Sequence, residues 1–166
     1  GMIDTKGNWV IQPQFDYLGN FNENGMASAE INEKFGMIDT KGNWVIQPQF
    51  DDLIIEIIET EIAATHAEIN GKWGLIDTKG NWIVQPQFED IIYFDEGIAR
   101  AKINGKYGMI DTKSNWVIQP QFDSLYSFDE NGMAVAEINE KYGTIDTKGN
   151  WVIQPQFDGL YSFDEN

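Results

Sequence analysis

The feature that most constrains the fold of this chain is a phrase of nine residues that occurs five times. Gly-Met-Ile-Asp-Thr-Lys-Gly-Asn-Trp opens the sequence and restarts, with at most one substitution, at Gly36, Gly74, Gly108 and Gly143. The intervals between these starts are 35, 38, 34 and 35 residues. A period of this length is typical of arrays in which each unit buries its apolar surface against its neighbours. The sequence therefore predicts one tandem repeat domain over residues 1–166.

The phrase divides the chain into four complete repeats and a partial fifth. They are residues 1–35, 36–73, 74–107, 108–142 and 143–166. The sequence begins and ends inside a repeat, whereas repeat arrays usually carry a polar capping unit at each terminus. We therefore expect this chain to be a fragment of a longer array.

Each repeat contains the signature of a three-residue hairpin loop. In the second repeat residues 39–43 read Asp-Thr-Lys-Gly-Asn, and a type I turn followed by a left-handed Gly42 closes a loop of this kind. Glycine adopts that conformation without steric cost. The fourth repeat has Ser114 at the glycine position, so we expect strain or a slightly different turn there.

The loop sets the register of the strands on either side of it. Ile38 is expected to face Trp44, and Gly36 to face Ile46. Because side chains alternate along a strand, the strand after the loop should have two different faces. One face is predicted to carry Trp44, Ile46, Pro48 and Phe50, and the other Val45, Gln47 and Gln49. Pro48 has no N–H to donate, so it marks the end of the strand or a free edge.

A two-residue turn joins the central strand to the strand before it. Asn32-Glu33, like Asn70-Gly71 in the next repeat, fits a type I′ turn. This turn sets Ala29 opposite Gly36 and Ala27 opposite Ile38. Small residues at these places leave room for the indole of the tryptophan to lie across the sheet.

The predicted fold is all-β, and each repeat is a three-stranded antiparallel meander. Both faces of such a sheet are partly apolar, and an isolated three-stranded sheet is only marginally stable. We therefore expect neighbouring repeats to stack front to back as an open spiral or solenoid, with a five-bladed propeller-like ring as the alternative.

The connection between repeats also recurs. In the fourth repeat Leu125 and Phe128 are predicted to fill the gap between units, and residues 129–132 to turn the chain. The second repeat departs from this pattern over residues 53–61, which are rich in isoleucine. We expect an irregular strand and a contact surface in that segment.

The order of these elements resembles the WG-repeat family of bacterial β-repeat proteins. The resemblance rests on an aromatic-glycine pair, Ile-Asp, a Lys-Gly turn, a strand that ends in Pro-Gln-Phe-Asp, and an Asn-Gly-Lys turn. Trp73-Gly74 is the literal Trp-Gly pair, and Phe35, Tyr107 and Tyr142 supply another aromatic residue elsewhere. The resemblance implies a scaffold with no shared catalytic motif, found in bacterial proteins that are often surface-associated. It implies a cell-surface or extracellular location and no particular ligand.

Composition narrows the classes of function. The chain has no cysteine, which excludes disulfides and thiol catalysis. Its net charge of −16 repels nucleic acid phosphates and anionic lipids, and no apolar run reaches the ~18 residues of a membrane span. No pairing of a nucleophile with a base stands out. We therefore predict a non-enzymatic protein without a cofactor, a nucleic acid partner or a membrane span.

Metal binding is not predicted. The one histidine, His66, aligns with Ser28, Arg100 and Val135, and we interpret it as a residue on the solvent side of a strand. A lone histidine without cysteine supports no transition-metal site. Acidic turns such as residues 129–132 offer two or three oxygens, whereas calcium takes six to eight. Turn chemistry explains these aspartates, and calcium is kept as the alternative.

Tryptophan and glutamine supply the remaining candidate sites. The repeated tryptophans fall on the apolar face and are interpreted as core, with sugar-stacking platforms as the alternative. The paired glutamines fall on the opposite face, where they would form a hydrogen-bonded ladder between stacked repeats or contact a polymer. The candidate binding residues are Gln47, Gln49, Gln85, Gln87, Gln119 and Gln121.

Together these features predict a structural or protein-interaction scaffold. Similar units present one surface many times, so weak contacts with a protein partner add through avidity. An array with open ends can also associate with itself into extended or filamentous assemblies. The alternative is a carbohydrate-binding repeat module with one shallow site in each repeat.

Overall fold

The computed structural model describes residues 1–54, 65–95 and 97–159. Every regular element in these ranges is a β-strand, as the repeat pattern predicts. The strands form a short hairpin and four four-stranded sheets, and strands that follow each other in the chain are neighbours in the sheet. The all-β prediction is therefore confirmed.

The strands have the following bounds. The hairpin consists of β1 (Met2–Ile3) and β2 (Trp9–Ile11), and the first sheet of β3 (Tyr17–Leu18), β4 (Met26–Ile31), β5 (Lys34–Asp39) and β6 (Trp44–Phe50). The second sheet consists of β7 (Asp52–Ile54), β8 (Thr65–Ile69), β9 (Lys72–Ile76) and β10 (Trp82–Phe88). The third sheet consists of β11 (Asp90–Asp95), β12 (Ile98–Ile103), β13 (Lys106–Asp111) and β14 (Trp116–Phe122). The fourth sheet consists of β15 (Ser124–Leu125), β16 (Met133–Ile138), β17 (Lys141–Asp146) and β18 (Trp151–Phe157).

Each sheet begins in one sequence repeat and ends in the next. The first sheet, for example, starts at Tyr17 and ends at Phe50, on either side of the boundary between residues 35 and 36. The chain as a whole divides into two compact bodies, residues 1–87 and 88–166. The first two sheets belong to the first body apart from Phe88, and the last two sheets belong to the second.

The prediction of three strands in each repeat is wrong by one strand. In the first sheet β3 adds to the meander through the pairs Tyr17–Glu30 and Leu18–Ala29. The corresponding strand of the fourth sheet has only two residues, which is too short to show the alternation that reveals a strand. The predicted role of this connection is confirmed, because Leu125 is buried and Phe128 packs against the same apolar cluster.

Both predicted turns are present. In the second repeat the N–H of Gly42 donates to the carbonyl oxygen of Asp39 at 2.9 Å, and Gly42 is left-handed with φ of 82°. Ser114 occupies the same conformation with φ of 65°, so the turn is kept and the serine is strained. The two-residue turn has Asn32 at φ 52° and Glu33 at φ 61°, as type I′ requires.

The predicted register holds up to the tryptophan and then fails. Ile38 pairs with Trp44, but the next pair is Met37–Ile46 and not Gly36–Ile46. Val45 is therefore an extra residue in β6, and such a bulge reverses the alternation of side chains beyond it. The backbone of β6 instead runs close over Gly36, where a Cβ atom would lie 2.4 Å from the carbonyl oxygen of Ile46.

The bulge corrects the predicted faces of β6. Trp44 keeps to the face that carries Ala27, Ala29 and Ile38, as predicted. Ile46 and Phe50 lie on the other face, together with Met37. The face with the tryptophan will be called the front of the sheet, and the face with Phe50 its back.

Front-to-back stacking of repeats is present within each body. In the first body Met37, Ile46 and Phe50 on the back of the first sheet pack against Ala67 and Ile76 on the front of the second. In the second body the same contact joins the backs and fronts of two sheets through Met109, Ile118, Phe122, Ala134, Ala136 and Ile145. For the array as a whole, the open spiral and its alternative, the ring, both stay predictions.

The irregular segment predicted in the second repeat is described only in part. Leu53 is buried and Ile54 is exposed, both in β7. Residues 55–61 lie outside the described residues, so the predicted contact surface there stays a prediction.

Candidate functional site

The last strand of each sheet presents one polar pattern to solvent. In the first sheet Val45, Gln47 and Gln49 are exposed on β6, while Ile46 and Phe50 are buried. We call each such set of one β-branched residue and two glutamines a Val-Gln strip. The strips are Val10, Gln12 and Gln14; Val45, Gln47 and Gln49; Ile83, Gln85 and Gln87; Val117, Gln119 and Gln121; and Val152, Gln154 and Gln156. All ten glutamines are exposed.

The strips do not form the predicted ladder. In the described part of the chain the glutamine side chains make one hydrogen bond, from Gln49 Nε2 to the carbonyl oxygen of Gln47 at 3.5 Å. That contact lies within one strip and joins no neighbouring repeats. The amide groups are therefore directed at solvent, where a partner can reach them.

The strand that carries the strip is an edge of its sheet. β6 is the last strand in the order β3-β4-β5-β6, which confirms the free edge that Pro48 indicates. Proline offers no N–H at the middle of this edge, and proline on an edge discourages pairing with a foreign strand. Contact through the exposed side chains is therefore better supported than addition of a strand.

Most of the tryptophans pack against aromatic side chains of a neighbouring repeat. Four of them, Trp44, Trp82, Trp116 and Trp151, each meet edge to face the phenylalanine of the Pro-Gln-Phe segment in the preceding repeat, and the four ring centroid distances lie between 5.2 and 5.8 Å. We call such a pair a Phe-Trp joint. The joints are Phe15–Trp44, Phe50–Trp82, Phe88–Trp116 and Phe122–Trp151.

Glycine makes room for the indole at each complete joint in the later repeats. A Cβ atom on Gly74 would lie 2.8 Å from Cζ3 of Trp82, and one on Gly143 would lie 2.9 Å from Cζ3 of Trp151. Real Cβ atoms do not approach a carbon this closely. The predicted fit of tryptophan over glycine is therefore confirmed at these joints, and sugar-stacking platforms stay an alternative that is not tested.

The aspartate of each hairpin loop is also engaged. Asp39 Oδ1 accepts the N–H groups of Lys41 and Asn43, both at 2.9 Å, and Oδ2 accepts the Asn43 side chain at 3.1 Å. These bonds, from the backbone and then the side chain of Asn43, lower the pKa of Asp39. The carboxylate thus closes the loop, as turn chemistry predicts.

No metal site is apparent in residues 1–54, 65–95 and 97–159, where no three histidine or carboxylate side chains converge. The hairpin-loop carboxylates serve the N–H groups of their own turn, with one carboxylate in each hairpin loop, and the turn at residues 129–132 provides two, Asp129 and Glu130. Calcium therefore stays an alternative that no contact of the described residues favours.

A second set of aspartates ties successive sheets together. Asp51 accepts a hydrogen bond from Nζ of Lys34 in the first sheet and one of 2.6 Å from the N–H of Asn70 in the second. Lys34 and then Asn70 lower the pKa of Asp51. Asp123 makes the same two contacts, with Lys106 and with Asn139. The acidic charge of the chain is thus partly structural.

The prediction that His66 lies on the solvent side of its strand is wrong. His66 was expected on the solvent side, but only 4% of its surface is exposed, because it pairs with the buried Leu75 on the back of the second sheet. Arg100 occupies the equivalent place in the third sheet, opposite Met109. The sequence feature that could have drawn attention to Arg100 is that it is the one arginine of the chain.

Comparison with known proteins agrees with the repeat geometry. The family model of the WG containing repeat matches residues 1–35, 35–55, 73–107, 107–142 and 142–166. The chain belongs to the WG-containing repeat family. The break in the matches between residues 55 and 73 coincides with the departure of the second repeat from the pattern. No functionally curated protein shows significant sequence similarity to this WG-repeat chain.

Several solved structures are similar to the WG-repeat chain at low identity. HIRA(644-1017) aligns at 9% identity and a TM-score of 0.47 over 86% of this chain, and this chain spans only 56% of HIRA(644-1017). A symmetrical protein from a study of de novo evolutionary emergence aligns at 16% identity and a TM-score of 0.33, over 78% of this chain and 69% of its own. A plant lectin from Cicer arietinum aligns at 13% identity and a TM-score of 0.33, over 89% of this chain and 92% of its own.

The part of the WG-repeat chain that the structure describes contains no helix with the length and apolar character of a membrane span.

Proposed function

We propose that this WG-repeat chain is a non-enzymatic interaction scaffold that binds a protein partner through its Val-Gln strips. The observation that carries the proposal is that β6 and its equivalents have two sets of side chains, one buried and one exposed. The buried side chains of these strands hold successive repeats together, while the glutamines of the strips are exposed and make no hydrogen bond between repeats in the described part of the chain.

The composition of a strip suits a weak and repeated contact. Val45, Val117 and Val152 are 44%, 43% and 55% exposed, so each strip offers a small apolar patch beside two amides. Primary amides both donate and accept hydrogen bonds. Several weak contacts on one chain raise the avidity by about 10²–10⁴-fold when their spacing matches the partner.

Site-specific photo-crosslinking tests this proposal. A benzoyl-phenylalanine at Gln49 or Gln121 should crosslink one and the same partner protein from the native host. The matched controls are Lys41 and Lys113, which are exposed on hairpin loops and should give no such product. Equal products from strip and loop positions, or none from the strips, would contradict the proposal.

The carbohydrate-binding alternative makes a different prediction for the same residues. If the exposed amides of Gln119 and Gln121 contact a glycan, binding on a glycan array should fall when both are changed to alanine. Retained glycan binding after this change, or binding that quenches the tryptophan fluorescence, would place the sugar elsewhere.

We propose self-association as the route to the extended assemblies expected from the sequence. Trp9 is 53% exposed and Phe157 is 42% exposed, and neither has the aromatic partner that completes a Phe-Trp joint in the described residues. A Phe-Trp joint formed between two copies of this chain would cover both rings. Phe157→Ala should lower the sedimentation-average mass at high concentration, whereas Tyr126→Ala, at an exposed aromatic residue that ends no strand, should not.

A further inference from the structure

A cleft in the second body has the volume of a small-molecule site. It measures about 420 Å³ and lies between the third sheet and the loop that leads from β15 to β16. Its apolar walls are formed by Ile92, Ile98, Met109 and Phe128. Sites for small molecules occupy about 300–1,000 Å³ and combine apolar walls with a few polar groups.

Arg100 is the positive group in the wall of this cleft. Its Nη1 donates to the carbonyl oxygen of Leu125, and its guanidinium lies 5.4 Å from the centre of the Tyr107 ring. Its Nε is buried and has no hydrogen-bond partner. The ion pairs among the described side chains all involve lysine, so none of these carboxylates pairs with Arg100.

An arginine is not needed at this position for the repeats to stack. The equivalent residues in the other sheets are Ser28, His66 and Val135, and each lies opposite the residue that matches Met109. A partly buried guanidinium without an anion carries an unfavourable desolvation term. Asp129 and Glu130 line the same cleft, but neither is within ion-pair distance of the Arg100 guanidinium.

We propose that the cleft binds a small organic monocarboxylate, with its carboxylate on the guanidinium of Arg100 and its apolar body against Ile98, Met109 and Phe128. Arginine recognises carboxylates through parallel N–H donors. Asp129 and Glu130 also line the cleft, and their charges repel ligands with a second anionic group. This site is independent of the Val-Gln strips.

The proposal is tested by NMR titration of the whole chain with phenylacetate, phenylacetamide and phenylsuccinate. Phenylacetate should give saturable shifts at Ile98, Met109 and Phe128. Its neutral isostere and the dianion should each bind at least tenfold more weakly. This comparison uses the unaltered protein, so it does not depend on the folding of any variant.

Arg100→Val supplies the matched variant, because valine is the residue that the fourth sheet has at this position. It should lower the affinity for phenylacetate at least tenfold, whereas Lys113→Gln, on an exposed loop of the same sheet, should leave it unchanged. The proposal is overturned if phenylacetate gives no saturable shift, if phenylacetamide binds as tightly, or if Arg100→Val binds as well as the parent.

Discussion

From the Phe-Trp joint we predict that truncating phenylalanine will lower the unfolding free energy by very different amounts at two equivalent positions. Phe122 ends β14, is 1% exposed and meets Trp151 at a centroid distance of 5.5 Å and an interplanar angle of 87°. Phe157 ends β18 in the same sequence context but is 42% exposed. The chain thus contains both the test residue and its control.

The magnitudes follow from this difference in burial. Truncating a fully buried phenylalanine to alanine costs about 3–5 kcal/mol of unfolding free energy, and the edge-to-face geometry accounts for about 0.5–1.5 kcal/mol of that. We expect Phe122→Ala to fall in the first range. Phe157→Ala should cost about 1 kcal/mol or less, since a half-exposed ring loses little buried area.

Urea unfolding followed by far-UV circular dichroism and tryptophan fluorescence measures both variants. With a slope of about 1–3 kcal/mol per molar urea, Phe122→Ala should lower the midpoint by about 1 M or more. Phe122→Leu, which keeps most of the buried volume and removes the ring pair, should have a smaller effect. Equal midpoint shifts for Phe122→Ala and Phe157→Ala would refute the joint as the main contact between repeats.

Three further predictions concern the glycine, the strained turn and acid. Gly74→Ala should lower the stability by about 1–3 kcal/mol, because its Cβ would lie 2.4 Å from the carbonyl oxygen of Val84; an unchanged melting temperature would show that the strand can move away. Ser114→Gly should raise the stability by about 0.5–1 kcal/mol, because it relieves a φ of 65°, and a lower melting temperature would contradict the assigned strain. Asp39 and Asp123 have pKa values lowered by their hydrogen-bond partners, so their contribution is present above the ordinary value of 3.8 and is lost as the pH falls through the lowered pKa. The urea midpoint should therefore drop between pH 5 and pH 2.5, less so in Asp39→Asn, and a pH-independent midpoint would contradict this role.

The hairpins were predictable because their determinants are local. Asp39, Gly42 and Asn43 lie within five residues and close the loop through their own side chains and backbone. The type I′ turn at Asn32 and Glu33 likewise depends on two adjacent residues. Once these turns are known, the pairing of Ile38 with Trp44 follows by counting along the strands.

Counting fails where the chain adds a residue. Val45 is expelled as a bulge, and the alternation beyond it is reversed, so Ile46 and Phe50 face the following repeat and not the preceding one. Periodicity is unable to reveal a bulge, because the pattern of apolar and polar residues is the same on either side of it. The candidate glutamines are exposed and form no ladder between repeats, because their neighbours Ile46 and Phe50 take the buried positions of β6.

The sequence by itself determined the period, the turns, the small residues beneath the indole and the absence of thiol chemistry, because each depends on residue types at short and fixed spacings. The tertiary structure decided which side chains close the joints between repeats, where the fourth strand pairs, and that His66 is buried. It also placed the guanidinium of Arg100 in a cleft. These outcomes depend on contacts with the next sheet. The sequence of a single repeat does not specify which surface will cover it.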